Sequence, residues 1–80
     1  MNKGLCVMGV VLSDREENAP EFQSILTQNR EAILSRNGIP HPSGDGGLIL
    51  VIMECTPEKQ KELMESVQDL PSEAQCMRFG

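Results

Sequence analysis

The chain reads as an α+β domain of the split β-α-β kind, and three stretches of sequence carry that expectation. Between Ile33 and Pro40 it runs Ile-Leu-Ser-Arg-Asn-Gly-Ile-Pro. A helix-forming stretch ends there, two apolar residues start a strand, and Gly38 and Pro40 are expected to stop it. Gly47 then opens a nine-residue run to Cys55 in which only Glu54 is polar. Such a run fits a strand buried on both faces. Finally, two helix-start signals, Ser13-Asp14-Arg15-Glu16 and Thr56-Pro57, each follow a strand-like run.

Taken in order, Leu5–Leu12 is rich in β-branched residues and too short and Gly-interrupted for a helix, so it is expected to be the first strand. Ser13 to Glu16 has the spacing of a capping box. Ala19, Phe22, Ile25 and Leu26 then recur at helical spacing through about Asn29. Pro20 leaves two options: a helix that begins at Asn18 with Pro20 in its first turn, or one kinked at Pro20. Ala32–Arg36 is the expected second strand. His41 to Gly47 is turn chemistry, with Asp45-Gly46 its strongest hairpin signal. Leu48–Cys55 is the third strand. Thr56 is read as an N-cap and Pro57 as the first helical residue. Leu63, Met64, Val67 and Leu70 form one apolar stripe that Pro71 ends, and Glu73–Phe79 closes as a more polar fourth strand.

The order β-α-β-β-α-β with right-handed crossovers predicts an antiparallel sheet of strand order 4-1-3-2, with both helices on one face. One domain is expected over residues 1–80, near the lower size limit for a core that stands alone. A tension follows. An antiparallel sheet with one wet face should alternate apolar and polar residues. The first and third strands do not, and the helices can cover only one face. The likeliest cover for the other is a second copy of the chain, since large exposed apolar patches are unusual on monomers. A homodimer or tetramer is therefore expected.

Composition excludes several classes. With two Phe, no Tyr and no Trp, there is little surface on which bases or sugars could stack. The formal charge of −5 and the scatter of the seven basic residues argue against direct nucleic-acid binding. Cys6, Cys55 and Cys76 show no C-x-x-C spacing, so neither a disulfide framework nor a zinc knuckle is indicated. No signal peptide precedes Leu5 and no apolar run approaches the ~20 residues of a membrane span, so the cytoplasm is the expected compartment. No acid–base pair or nucleophile with a placed His supports catalysis, and no cofactor is implied.

Asp14-Arg15-Glu16 after the first strand, then Phe22, Ile25 and Leu26, then Ile33-Leu34 and Arg36-x-Gly38-Ile39-Pro40, stand in a distinctive order and spacing. In this the chain resembles the small bacterial proteins known as iron-only hydrogenase system regulators, an ACT-like group with the ferredoxin-like fold. The resemblance runs from Val7 to about Cys76 and is most specific between Asp14 and Pro40. It implies a cytoplasmic oligomer that serves regulation rather than catalysis. Two features depart from the pattern: Asn37 stands where relatives usually carry an aliphatic residue, and the second helix lacks a glycine-rich pattern common there.

Four groups of residues are candidates for a site. In ACT-like regulators small effectors bind near the loop after the first strand, here Ser13, Asp14 and Arg15. Open backbone N–H groups at a helix start beside an Arg would suit an anion; equally, Ser13 and Asp14 cap the helix while Arg15 is solvated. Arg36 could face a ligand or a partner subunit from the strand edge, whereas Gly38 and Pro40 have structural roles, Gly38 supplying an unusual φ and Pro40 blunting the strand end. Cys6, Cys55 and Cys76 fall near one corner of the predicted sheet, where three thiols could bind a soft metal or form a redox switch. Buried cysteine is more often an ordinary small apolar residue. Nickel-responsive repressors use several histidines on a related domain, and the lone His41 cannot reproduce that site. Gly44-Asp45-Gly46-Gly47 lacks the Lys-[Ser/Thr] of a P-loop and reads as a turn, while Met1, Met8, Met53, Met64 and Met77 read mainly as core filler.

The sequence thus points to a non-catalytic regulatory or sensory domain binding a small effector, a partner protein or both. Two alternatives remain: a metal- or redox-responsive protein using the three cysteines, and a ligand-free oligomerisation module.

Overall fold

The computed structural model describes residues 3–40 and 47–79. Strand β1 (Gly4–Leu12) leads into helix α1 (Arg15–Gln28), a 3₁₀ turn at Arg30–Ala32 and strand β2 (Ile33–Pro40). Strand β3 (Gly47–Cys55), helix α2 (Pro57–Gln68) and strand β4 (Ser72–Phe79) follow. The sheet is antiparallel throughout, ordered β2-β3-β1-β4, which is the expected 4-1-3-2 read from the other edge.

Side-chain parity assigns the faces. Cys6, Met8, Val10 and Leu12 of β1 and Val51, Met53 and Cys55 of β3 are buried together with Phe22 and Leu26 of α1 and Leu63 and Val67 of α2. That is the ferredoxin-like arrangement, with both helices on one face of the sheet. The alternate residues of the same strands, among them Leu5, Val11, Leu48 and Ile52, lie on the other face and are partly exposed. Strand β4 alternates cleanly: Ser72, Ala74, Cys76 and Arg78 are half-buried toward the helices, and Glu73, Gln75, Met77 and Phe79 are exposed.

Helix α2 starts as its sequence requires. The Thr56 hydroxyl accepts from the Lys59 N–H at 3.2 Å, and Pro57 occupies the first helical position. Helix α1 does not start as a capping box. Its N-cap is Asp14, held left-handed at φ 47°, ψ 65° with no side-chain cap bond. The Asn18 amide takes over, donating to the Ser13 carbonyl at 2.6 Å and the Asp14 carbonyl at 3.2 Å. The Ser13 N–H is already committed to the Pro71 carbonyl at 2.8 Å, across the end of the sheet. Nor does the helix wait until Asn18. It starts at Arg15 and carries Pro20 inside it; the carbonyl that Pro20 leaves without a partner is that of Glu16, on an exposed turn where water can serve it.

The largest departure is in β2, which Gly38 and Pro40 do not stop. Gly38 pairs with Ile49, Ile39 with Leu48 and Pro40 with Gly47. An edge strand tolerates Pro because one side of its ladder needs no donor. Gly38 also lacks the positive φ expected of it, and a Cβ there would point into open space. A bulge at Leu34 separates Ile33, paired with Met53, from Ser35, paired with Ile52. The expected turn at Asp45-Gly46, and His41 with it, lie outside the described residues.

Candidate functional site

The loop and strand candidates do not converge. Ser13 and Asp14 are exposed at the end of β1. Arg36 pairs with Val51, which pairs with Met8, two strands across and well short of the Ser13 end of β1. The Leu34 bulge explains why Arg36 turns toward α1. One extra residue in the strand flips its parity, so Arg36 shares the helix face with Ile33 and its guanidinium donates to Gln23 Oε1 of α1 at 2.7 Å. That bond is exposed and amounts to a surface brace. Asp14 retains one unusual property, since a non-glycine residue at positive φ is uncommon and Asp is among those that tolerate it.

The cysteines do converge, two closely and the third nearby. Gly4 pairs with Cys55 and Cys6 with Met53, which makes Cys6 and Cys55 diagonal neighbours on the helix face. Their sulfurs are 3.9 Å apart. Cys76 pairs with Met8 on the same face, one step further along. Two polar side chains close the cluster. The Cys6 thiol lies 3.2 Å from Gln60 Oε1 of α2, and Arg78 Nη1 of β4 donates to Cys6 Sγ at 3.3 Å and to Gln60 Oε1 at 3.0 Å. Arg78 Nη2 donates to the Cys55 carbonyl at 3.0 Å. One guanidinium therefore ties α2, β3 and β4 to the first cysteine of β1.

Burial dominates the chemistry of the outer two thiols. It pushes Cys55 up from the ordinary value of 9.0, the neighbouring Cys6 adds to the effect, and Arg78 offsets part of it. Cys76 is raised chiefly by burial and then by Cys6, with Gln60, the Met77 N–H and Arg78 pulling the other way. Among the described residues no group of three or more His, Cys, Asp or Glu is placed to hold a metal ion. The three cysteines thus resolve into a close pair, Cys6 and Cys55, with a guanidinium beside it and Cys76 one step further along the same face. All three cysteines are free thiols.

Gln60 and Arg78 were not singled out in the sequence. Arg78 had a signal, because in a strand it must share a face with Cys76 two residues earlier. Gln60 had none, since its reach depends on where α2 docks. A second feature also passed unnoticed: a groove of about 370 Å³ at the end of the sheet, between the 3₁₀ turn and the start of α2. Lys3, Arg30 and Lys59 line it opposite Glu31 and Glu54, and Cys55 is part of its wall.

On the far side of the sheet, parity gathers Leu5, Val11, Ile39, Leu48, Ile52, Met77 and Phe79, each between 37% and 60% exposed. Glu54 and Glu73 are the charged side chains among the described residues of that face. Gly9 lies at its centre, flanked by Leu48 and Leu50.

Comparison with known proteins bears on both fold and family. A family model described as "TM1266-like: Iron-only hydrogenase system regulator, putative" matches residues 4–69. The solved structure titled as that of uncharacterized protein TM1266 from Thermotoga maritima superposes with a TM-score of 0.91 at 18% identity, covering 99% of this chain and 100% of that one. At that identity the likeness speaks for the fold. No curated protein matches the chain.

Proposed function

This chain belongs to the TM1266-like family, and we propose that it is a non-catalytic regulator, a single ACT-like domain that self-associates through the open face of its sheet. The family description names a regulator of an iron-only hydrogenase system. A regulatory role follows from that description; the oligomer, the effector and the hydrogenase connection of this particular chain are our reading.

The observation that carries the proposal is the open face. Seven large apolar side chains, one from β2, two each from β1, β3 and β4, are partly exposed on it. At roughly half exposure each, they amount to several hundred Å² of apolar surface, on the scale of the ~800 Å² per partner in a standard interface. Carboxylates such as Glu54 and Glu73 at opposite ends of the face suit an interface rim better than its centre. The chain regulates by binding, with Ser13, Asp14 and Arg15 as the proposed effector loop and a partner protein as the proposed target. Among the described residues no helix is long and apolar enough to cross a membrane, and a cytoplasmic setting fits the three free thiols.

Size-exclusion chromatography with light scattering, followed by thermal shifts against amino acids and nucleotides, tests the proposal. A dimer or tetramer with at least one stabilising ligand is expected, since a ligand well above its Kd adds a few kcal/mol. A monomer at tens of micromolar would sink the self-association; an oligomer that responds to nothing would leave it without an effector.

A further inference from the structure

We infer that Cys6 and Cys55 form a reversible dithiol–disulfide pair, oxidised by hydrogen peroxide and restored by a dithiol, with Arg78 as the positioning residue for Cys6. This goes beyond the effector reading and does not depend on it.

Three observations carry the inference. The two sulfurs are 3.9 Å apart with nothing between them. Both residues are almost fully buried, so neither is set to pair with another molecule. The guanidinium of Arg78 donates to Cys6 Sγ at 3.3 Å and so fixes a hydrogen-bond donor on that sulfur. Arg78 also donates to the Cys55 backbone carbonyl at 3.0 Å, and burial raises the Cys55 thiol although Arg78 offsets part of that rise. The pair is asymmetric in its hydrogen bonds, Arg78 donating to the sulfur of Cys6 and to the carbonyl of Cys55, so Cys6 is the attacking sulfur and Cys55 the resolving one. Cys6 is covered by Gln60 and Arg78, both half-exposed side chains whose movement admits a molecule scarcely larger than water.

The chemistry balances. Cys6 loses its proton to solvent, and the thiolate attacks one oxygen of hydrogen peroxide. An S–O bond forms, the O–O bond breaks, and the departing hydroxide is neutralised to water. Cys6 is then a sulfenic acid, oxidised by two electrons, and the peroxide is reduced. The Cys55 sulfur gives up its proton and attacks Cys6 Sγ; the S–O bond breaks and hydroxide leaves with that proton as a second water. Two thiols and one peroxide become one disulfide and two waters.

The position of the pair favours a labile bond over a permanent one. Diagonal neighbours across an antiparallel pair usually have Cα atoms about 7–8 Å apart, while most disulfides span less than about 6.8 Å. Closing the bond must draw β1 and β3 together locally. The oxidised Cys6 also has no S–H left for Gln60, so the contact of α2 with this corner weakens just behind the strand that carries Met77 and Phe79.

The test treats the reduced, folded chain with hydrogen peroxide and follows intact mass and peptide maps. Expected is the loss of two hydrogen masses with a Cys6–Cys55 link, unchanged in Cys76→Ser and reversed by dithiothreitol. In Cys55→Ser a sulfenic-acid trap should label Cys6. Arg78→Gln should slow disulfide formation about tenfold at neutral pH, and Arg78→Lys should restore most of the rate; a purely structural role for Arg78 would alter melting but not the rate. A link through Cys76, links only between chains, or a folded pair that stays reduced at a peroxide dose that oxidises the urea-unfolded chain would each overturn the inference.

Discussion

Replacing Ile52 by lysine puts a charge near the middle of the open sheet face while leaving the buried core untouched. Ile52 is 39% exposed and pairs with Val7, itself across from Met77. That exposure leaves roughly 80 Å² of apolar surface for a partner to cover, worth about 2 kcal/mol at about 25 cal/mol per Å². A two-fold interface uses the same patch twice, so the loss doubles to about 4 kcal/mol per dimer. Since 1.4 kcal/mol is tenfold, the dimer should dissociate at concentrations about a thousandfold higher, before any cost of burying the lysines is added. Sedimentation velocity across a concentration series would measure it. The monomer's own stability should fall by no more than about 1 kcal/mol, the range of strand propensity on an exposed face. If Ile52→Lys shows the wild-type mass at every concentration, the open face is not the interface and the two-sided sheet needs a different explanation.

Other consequences can be checked separately. Phe22→Ala, at a fully buried position, should cost about 3–5 kcal/mol in urea melts; a loss under 1 kcal/mol would mean α1 is not docked as described. Thr56→Ala removes a real cap and should cost about 1 kcal/mol, whereas Asp14→Gly removes none, relieves the left-handed strain and should stabilise by a few tenths to 1 kcal/mol. Gly38→Ala, with open space at its Cβ and no positive φ, should leave stability within about 0.5 kcal/mol. Under reducing conditions stability should fall as pH rises above about 9, because the unfolded chain releases the protons of Cys55 and Cys76 first while the fold retains them. Urea melts of a Cys55→Ala, Cys76→Ala double variant should show a shallower alkaline decline than the wild type.

The topology was legible because local signals agreed with it. The β-branched runs, the Thr56-Pro57 start and the apolar stripe of α2 each specify an element without help from distant residues. The misreadings in β2 share a cause, namely that edge position changes what a residue can do. Gly38 and Pro40 look like stops, yet on an edge strand they sit in the ladder. The bulge at Leu34 has no local signature, and it decides that Arg36 meets α1. The Ser13 capping box fails because the Ser13 N–H is drawn to Pro71, 58 residues away in the strand-closing corner. The cysteine corner was half legible: sheet order brings Cys6 and Cys55 together, but Gln60 joins them only through the docking of α2.

The contrast between β4 and the central strands also bears on how the chain reaches this state. A strand slipped by one residue turns every side chain to the opposite face. For β4 such a slip would drive Glu73 and Gln75 against the helices, a costly error that corrects itself. For β1 it would exchange one apolar set for another, Leu5, Val7 and Val11 for Cys6, Met8 and Val10, with little to tell the two apart, while in β3 Glu54 is the one residue that such a slip would drive against the helices. The first strand therefore carries scant information about its own alignment, and the third carries it at Glu54 alone. The rest of that information resides in the polar residues of the outer strand and in the hydrogen bonds of Arg78, so a chain that pairs its centre before β4 docks is exposed to kinetic traps and to pairing with its neighbours.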